Sequence, residues 1–239
     1  MDTKTADKPR IVVLDGHTLN PGDNPWDEVG ALGTLTVYDR TPPGSILERS
    51  RGAAVLLTNK TPLARETVAE LRDLRFVGVL ATGYNVVDTA ACRERGIPVS
   101  NVPEYGTRSV AQYVFARLRE LCHRVGAHEE AVRAGEWSRS SDFCFWKTPQ
   151  VELDGKTMGV VGFGRIGRAV GEIAHAMGMR VIAADISHRD APPWPGFAWV
   201  PVEELFRSAD VVSLNCALTA ENQGLVTPRL LGVMKRTPF

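Results

Sequence analysis

The sequence has no long hydrophobic run. No apolar stretch approaches the roughly 18 to 20 residues that a bilayer-spanning helix needs. The first ten residues are polar and charged, and they lack the apolar core of a secretory signal peptide. These two absences lead us to expect a cytoplasmic protein without a membrane partner.

Cysteine is scarce, and neither positive nor negative charge is in excess. The four cysteines form no C-x-x-C pair, which favours reduced thiols over a disulfide framework or a zinc site. The five histidines show no ligand spacing on a shared helix face, so we predict no bound metal. The formal net charge is zero, which gives no sign of a nucleic-acid partner.

The remaining composition is that of a globular protein, with 239 residues, 44% hydrophobic and 23% charged. Predicted apolar strands alternate with predicted helices through residue 102. This alternation predicts a parallel sheet with right-handed crossovers. Pro103 marks a boundary, so we expect one domain at 1–103 and another at 104–239. The predicted fold class is α/β, with two doubly wound parallel sheets.

A long helix is predicted at 107–126. Its apolar positions recur at helical spacing and are expected to face the core. These positions are Val110, Val114, Leu118, Leu121 and Val125.

A glycine-rich stretch follows a short apolar run at 157–161 that predicts a buried strand. Gly162, Gly164 and Gly167 have the G-x-G-x-x-G spacing of dinucleotide-binding folds, and a helix is predicted at 168–177. The first glycine permits a tight turn, the second lets a pyrophosphate approach the backbone, and the third allows close packing of helix on strand. A strand, turn and helix with chance glycines is the alternative.

Phosphate binding at this stretch would use backbone N–H groups at the start of the helix, where the helix dipole is positive. Arg165 and Ile166 lie between the last two glycines, and we include both in the predicted cofactor site.

An acidic residue stands at the expected distance from the glycines. The apolar run 180–184 ends in Asp185, 18 residues after Gly167 and close to the roughly 20 expected for the acid that binds the adenosine ribose. Such a carboxylate accepts hydrogen bonds from the ribose hydroxyls and repels a 2′-phosphate, so NAD is favoured over NADP. An ordinary turn aspartate is the alternative, and NADP stays open because Ser187, His188 and Arg189 could tolerate a phosphate.

Several segments along almost the whole chain match one family. The matching segments are 57–61, 81–88, 106–112, 142–146, 153–157, 162–167 and 216–219. On these segments the chain resembles the D-isomer-specific 2-hydroxyacid dehydrogenases, in particular the glycerate dehydrogenase (hydroxypyruvate reductase) branch. The resemblance implies a flavodoxin-like substrate domain and a Rossmann NAD-binding domain, with the active site in the cleft.

The resemblance also implies site residues for a small anionic 2-keto or 2-hydroxy acid. The loop with Thr82 and Gly83 is expected to bind the substrate carboxylate through backbone N–H groups, although a turn that needs a glycine is the alternative. Asn59 and Lys60 are expected to face the same cleft. Lys60 could neutralise the carboxylate or be an ordinary solvated lysine.

Further cofactor contacts are implied by the resemblance. Thr107 and Val110 are expected near the cofactor. Cys216, Ala217 and Leu218 are expected on the nicotinamide side, although Cys216 could equally be an ordinary buried cysteine. Ala217 stands where the family usually has proline, which is expected to loosen that loop.

The implied reaction is hydride transfer between nicotinamide C4 and C2 of hydroxypyruvate or glyoxylate, in a homodimer. The family's catalytic arginine, glutamate and histidine belong to segments after residue 235, and we assign no catalytic residue in the printed sequence. We therefore expect the 239-residue chain alone to have little dehydrogenase activity. A non-catalytic NAD sensor or scaffold on the same fold is the alternative function.

Overall fold

The computed structural model describes residues 8–20 and 22–236. The chain forms two compact units, one extending to Tyr105 and the other starting at Gly106. Each unit is built on a parallel sheet. The predicted α/β class with two parallel sheets is therefore confirmed. No helix in the described ranges is long and apolar enough to cross a membrane.

The first unit is a five-stranded sheet with the order β2-β1-β3-β4-β5. Its strands are β1 (Arg10–Val13), β2 (Thr34–Val37), β3 (Val55–Thr58), β4 (Phe76–Val79) and β5 (Val99–Asn101). Its helices are α1 (Asp27–Ala31), α2 (Ile46–Ser50), α3 (Arg65–Glu70) and α4 (Thr89–Glu94). This is the flavodoxin-like strand order. Successive strands are added to one side of β1 first and then, from β3 onward, to the other side.

The core of the first unit explains why these segments are strands. Val12, Leu56 and Val77 are fully buried on three neighbouring strands, as expected where helices cover both faces of a parallel sheet. Val12 lies opposite Leu56 in the register of β1 and β3. The strand order therefore brings the carboxyl ends of β1, β3 and β4 side by side.

The second unit is a four-stranded sheet with the order β8-β7-β6-β9. Its strands are β6 (Thr157–Val161), β7 (Arg180–Ala184), β8 (Ala198–Trp199) and β9 (Val211–Leu214). Its helices are α5 (Thr107–His123), α6 (Val125–Arg133), α7 (Arg165–Ala176), α8 (Val202–Ser208) and α9 (Pro228–Gly232). The order corresponds to 3-2-1-4 of the Rossmann sheet, with β6 buried along its whole length.

Helix α5 differs from the prediction in its end and in its buried face. It ends at His123, because Arg124 has a φ of 47° and separates α5 from the next helix, α6. The predicted apolar face is wrong at Val110, Leu121 and Val125, which are 42%, 55% and 52% exposed. The residues that α5 buries are Ala111, Phe115, Leu118 and Cys122. The small side chains of Ala111 and Cys122, at the two ends of this face, fit against the neighbouring helix α7. A pattern of large apolar residues does not reveal such positions.

An aspartate joins the amino ends of β6 and β9. The Asp210 carboxylate accepts a hydrogen bond from the Thr157 N–H at 2.8 Å and from Lys235 Nζ at 3.0 Å. Burial raises the pKa of Asp210, but these hydrogen bonds and the nearby lysine charges outweigh burial, so its pKa lies below the usual value. The ionised form therefore stabilises the folded chain.

We predict that Asp210→Asn lowers the free energy of unfolding by about 1 to 3 kcal/mol at neutral pH. Because the folded pKa is depressed, this contribution is present above the ordinary aspartate pKa and is lost as the pH falls through the folded value. Urea unfolding of both chains at a series of pH values should therefore show the difference shrinking below about pH 4. Glu152→Gln, which changes an exposed acid in the same unit, is the control. A difference that stays constant into acid would contradict the prediction.

Candidate functional site

Two glycines of the glycine-rich bend are required by the fold. Gly162 has a φ of 85°, and a Cβ there would lie 2.6 Å from the Cα of Cys216. A Cβ at Gly167 would overlap the carbonyl oxygen of Gly162 and lie 3.0 Å from Val160 Cγ1. These two glycines therefore do what the motif predicts: one permits the turn and the other brings helix α7 close to strand β6.

The middle glycine has no such role in the fold. Gly164 has a φ of −76°, which any residue adopts, and a Cβ there would meet no atom within 4 Å. Gly164 is exposed and precedes α7 without giving the helix a side-chain cap. The space in front of it is open, as a site for a pyrophosphate requires.

Helix α7 begins three residues earlier than predicted, at Arg165 instead of residue 168. Arg165, Ile166 and Gly167 thus form its first turn, because Gly164 already occupies the N-cap position. Arg165 is exposed, and Ile166 packs against the core of the unit. The N–H groups of the first helical turn have no partners within the helix, which places all three predicted residues where an anion is favoured.

Asp185 lies beside the glycine-rich bend. Its Oδ2 accepts a hydrogen bond from the Phe163 N–H at 2.6 Å, and its Oδ1 accepts one from the Ser187 N–H at 2.9 Å. The residue is half-buried. An ionised carboxylate has about four acceptor positions, so about two remain for the two hydroxyls of a ribose.

An aromatic cluster behind the bend was not predicted. The buried ring of Phe163 lies 5.2 Å from Phe197, 5.5 Å from Trp199 and 6.2 Å from Trp194, measured between ring centroids. The alternation of aromatic and small residues at 194–199 was the available signal. The cluster holds Phe163 in place, and the N–H group of Phe163 is the one that binds Asp185. These rings therefore support the glycine-rich bend.

The loop after Asp185 is held by an arginine from α7. The Arg168 guanidinium donates to the carbonyl oxygens of Arg189 and Asp190 at 2.6 and 2.7 Å. The ring of His188 stacks on Trp199 with centroids 4.9 Å apart. The loop 187–190, which holds the residues that could tolerate a 2′-phosphate, is therefore fixed by contacts with α7 and with Trp199.

The residues predicted on the nicotinamide side lie on the neighbouring strand. Cys216, Ala217 and Leu218 follow β9, which pairs with β6, and all three are exposed. The interpretation of Cys216 as an ordinary buried cysteine is therefore wrong. Its backbone lies directly against Gly162, so the structure brings this segment to the glycine-rich bend.

The two predicted cofactor residues of α5 lie in its first turn. Thr107 is its half-buried first residue, and Val110 is 42% exposed. Their contact with a cofactor stays a prediction.

In the first unit, the predicted substrate residues follow the neighbouring strands β3 and β4. Asn59 is buried and its Nδ2 donates to Thr18 Oγ1 at 3.0 Å, whereas Lys60 is exposed. Thr82 and Gly83 are exposed in the loop after β4. Both loops therefore start at the carboxyl ends of the strands, on the same side of the sheet.

Gly83, like Gly164, is not required by the fold. Its φ lies outside the left-handed region, and the nearest atom to a Cβ would be Asn85 Oδ1 at 3.5 Å. The alternative of a turn that needs glycine therefore has no support, and the contact of this loop with a substrate carboxylate stays a prediction.

A buried acid behind the Lys60 loop was missed. Asp15, which is 9% exposed, accepts hydrogen bonds from the N–H groups of Asn59, Lys60 and Thr61. The available signal was its position after an apolar strand, the same pattern that identified Asp185.

Two buried thiols can be set aside as nucleophiles. Burial raises the pKa of Cys92 and that of Cys122, so both stay protonated near neutral pH. Within residues 8–20 and 22–236, no group of three or more histidine, cysteine or acidic side chains could hold a metal ion.

Comparison with known proteins gives consistent matches. The profile of the family described as "D-isomer specific 2-hydroxyacid dehydrogenase, NAD binding domain" matches residues 115–239. A hydroxypyruvate reductase of Blautia hydrogenotrophica is 47% identical, over 95% of this chain and 71% of the relative. A glycerate dehydrogenase of Methylorubrum extorquens is 32% identical, over 95% and 70%.

A solved structure of an acyclic imino acid reductase, in complex with NADPH and D-Arg, superposes with a TM-score of 0.77. It is 27% identical, and the match covers 95% of this chain and 71% of that chain. The fold of the present chain is thus shared with a dinucleotide-binding reductase.

We predict that Gly164→Ala mainly weakens NADH binding, whereas Gly167→Ala mainly lowers stability. Gly164→Ala should change the free energy of unfolding by less than about 1 kcal/mol, because the methyl group enters open space. It should weaken NADH binding about tenfold or more, because the methyl group lies where the pyrophosphate would approach. Gly167→Ala should lower the free energy of unfolding by about 1 to 3 kcal/mol through the overlap with Gly162.

Urea unfolding and NADH fluorescence titration of the three chains measure these two quantities separately. Unchanged NADH affinity in Gly164→Ala would show that the pyrophosphate does not lie against this glycine.

Proposed function

The chain belongs to the D-isomer specific 2-hydroxyacid dehydrogenase family, and from that membership we propose that it binds NAD and a small 2-keto or 2-hydroxy acid. The proposed substrate pairs are hydroxypyruvate with glycerate and glyoxylate with glycolate. The bound nicotinamide supplies or accepts the hydride. Two similar proteins are named hydroxypyruvate reductase and glycerate dehydrogenase, which supports the first pair.

The proposal depends most on the pairing of Gly164 with Asp185. The glycine has no structural reason to be a glycine, and the carboxylate one strand away is tied to the same bend through the Phe163 N–H. The bend offers backbone donors to a pyrophosphate, and the carboxylate offers acceptors to a ribose. A dinucleotide needs both groups at this separation along the chain.

We assign the substrate carboxylate to the first unit. The exposed Lys60 ammonium group provides a positive charge, and the loop with Thr82 and Gly83 provides backbone N–H donors. Because Asn59 donates its side-chain amide to Thr18, we propose that it braces the loop more than it contacts the substrate.

NAD is the proposed cofactor, since a carboxylate at Asp185 would repel a 2′-phosphate. A cytoplasmic location is also proposed, on the ground that the four cysteines are unpaired thiols.

We predict that Asp185→Asn weakens NADH binding about tenfold, since charge-assisted hydrogen bonds to the ribose become neutral ones. NADPH binding should weaken less or improve, because the repulsion of its phosphate is lost. NADH and NADPH fluorescence titrations measure both affinities. Asp190→Asn is the matched control, because it removes an acid from the same loop and asparagine tolerates its φ of 50°.

Unchanged NADH affinity in Asp185→Asn would contradict the ribose assignment. NADH binding that follows the prediction, combined with no response to hydroxypyruvate, would favour a sensor or scaffold over a dehydrogenase.

We propose that the chain forms a homodimer through α5 and the segment 137–146. Both elements expose large apolar side chains, which an interface between two copies would bury. They include Tyr113, Leu121, Trp137, Phe143 and Trp146. Arg117 keeps its charge on this surface, and its guanidinium lies over the Tyr113 ring and donates to the Tyr113 hydroxyl at 2.8 Å.

Phe143, which is 91% exposed, offers a direct test of the dimer. Light scattering after size-exclusion chromatography should give the wild-type chain twice the mass of one chain. Phe143→Ser should shift the distribution toward monomer, because burial of its ring would be lost. Leu32→Ser, at a 70% exposed position in the first unit, should leave the mass unchanged. A monomeric wild-type chain would contradict the proposal.

A further inference from the structure

The carboxylate of Asp15 lies at the centre of a set of backbone donors. Its Oδ1 accepts the Asn59 N–H at 2.8 Å, and its Oδ2 accepts the Lys60 and Thr61 N–H groups at 2.5 and 2.9 Å. The Thr58 hydroxyl lies 3.4 Å from Oδ1. Three consecutive N–H groups that converge on one point form a concavity of the kind that binds anions. Here the chain fills it with its own side chain.

This arrangement sits where the strand order of the first unit reverses. Asp15 follows β1 and the three amides follow β3, and these two strands are neighbours in the sheet. Ligands of open α/β sheets bind at such a reversal. Because Asp15 already occupies the amides of the β3 loop, an incoming carboxylate cannot use them.

Two side chains of the β3 segment have partners within the unit. The Asn59 side chain donates to Thr18 Oγ1, and the Thr58 hydroxyl donates to the Thr61 carbonyl oxygen at 2.8 Å. The Lys60 side chain is exposed. Its ammonium group is therefore the charged group that this loop presents to solvent.

We infer that Asp15 is a positioning residue of the substrate site. Its carboxylate holds the amides of residues 59–61 in place, so that the Lys60 ammonium group and not the loop backbone meets the substrate carboxylate. This inference rests on the proposed function, in which Lys60 binds a small 2-keto acid. It assigns to the buried acid a role in substrate affinity that acts through Lys60.

Removal of the carboxylate should free the loop. Asp15→Ala leaves three N–H donors without their acceptor, two of them in buried positions, and such donors rearrange until they find another. It also leaves a space that a small carboxylate fits. Formate should enter this space and restore the loop, whereas Asp15→Asn fills the space and should not respond to formate.

The test uses the full 239-residue chain with NADH present. Hydroxypyruvate is titrated while the backbone amide signals of residues 59–61 and 83 are followed by NMR. We expect Asp15→Ala to weaken hydroxypyruvate binding about tenfold or more, as misplaced binding groups do, and formate to recover much of this loss. Asp39→Ala, which removes an exposed acid from the same unit, should behave like the wild-type chain.

A double-mutant cycle separates positioning from a general effect on the fold. Lys60→Ala alone should weaken hydroxypyruvate binding without moving the amide signals of Asn59 and Thr61. Adding Asp15→Ala to Lys60→Ala should then weaken binding little further, because Asp15 acts through the lysine. Fully additive losses would overturn the inference.

The other outcomes are equally decisive. Wild-type affinity in Asp15→Ala would overturn the inference and leave the proposed function standing. A wild-type chain that shows no response to hydroxypyruvate would contradict the proposed function, and the inference would fall with it. If both Asp15 variants failed to fold even in formate, Asp15 would be a determinant of the fold, and the inference would again be wrong.

Discussion

The carboxylate of an aspartate at a strand end, bound to a backbone N–H of the neighbouring strand's loop, is the interaction on which both units depend. Asp185 binds the Phe163 N–H in the second unit, and Asp15 binds three N–H groups in the first. Loops at the carboxyl ends of parallel strands have donors that the sheet does not use. A short acid one strand away satisfies them and fixes the shape of the loop.

Elements with a strong local signal were predictable from the sequence. The run at 157–161 predicts a buried strand because every residue in it is apolar or small, and β6 is buried throughout. The glycine spacing predicts the bend, because a φ of 85° at Gly162 and close packing at Gly167 are needs that only glycine meets. Asp185 was predictable because its position follows from the distance along the chain to that bend.

Features that depend on the partner element were not predictable. The buried face of α5 contains Ala111 and Cys122 because the packing distance to α7 selects small residues there, and a stripe of large apolar residues does not show this. The start of α7 was misplaced because Gly164 acts as its N-cap. Asp15 was missed although it follows an apolar strand, because its partners lie 44 to 46 residues away in the sequence and its position alone does not show what it binds.

The two strand-end acids differ in how many of their hydrogen-bond acceptor positions the protein already uses. This difference is why we propose a positioning role for Asp15 and a ligand-binding role for Asp185. Asp15 is buried and accepts hydrogen bonds from three N–H groups, so most of its roughly four acceptor positions are in use. Asp185 is half-buried with two N–H partners, so it keeps capacity for two hydroxyl donors. Among the three glycines of the bend, Gly162 and Gly167 are required by their neighbours and Gly164 is not. The free acceptor positions of Asp185 and the open space at Gly164 are the two observations that support our proposal of a dinucleotide at the bend between β6 and α7.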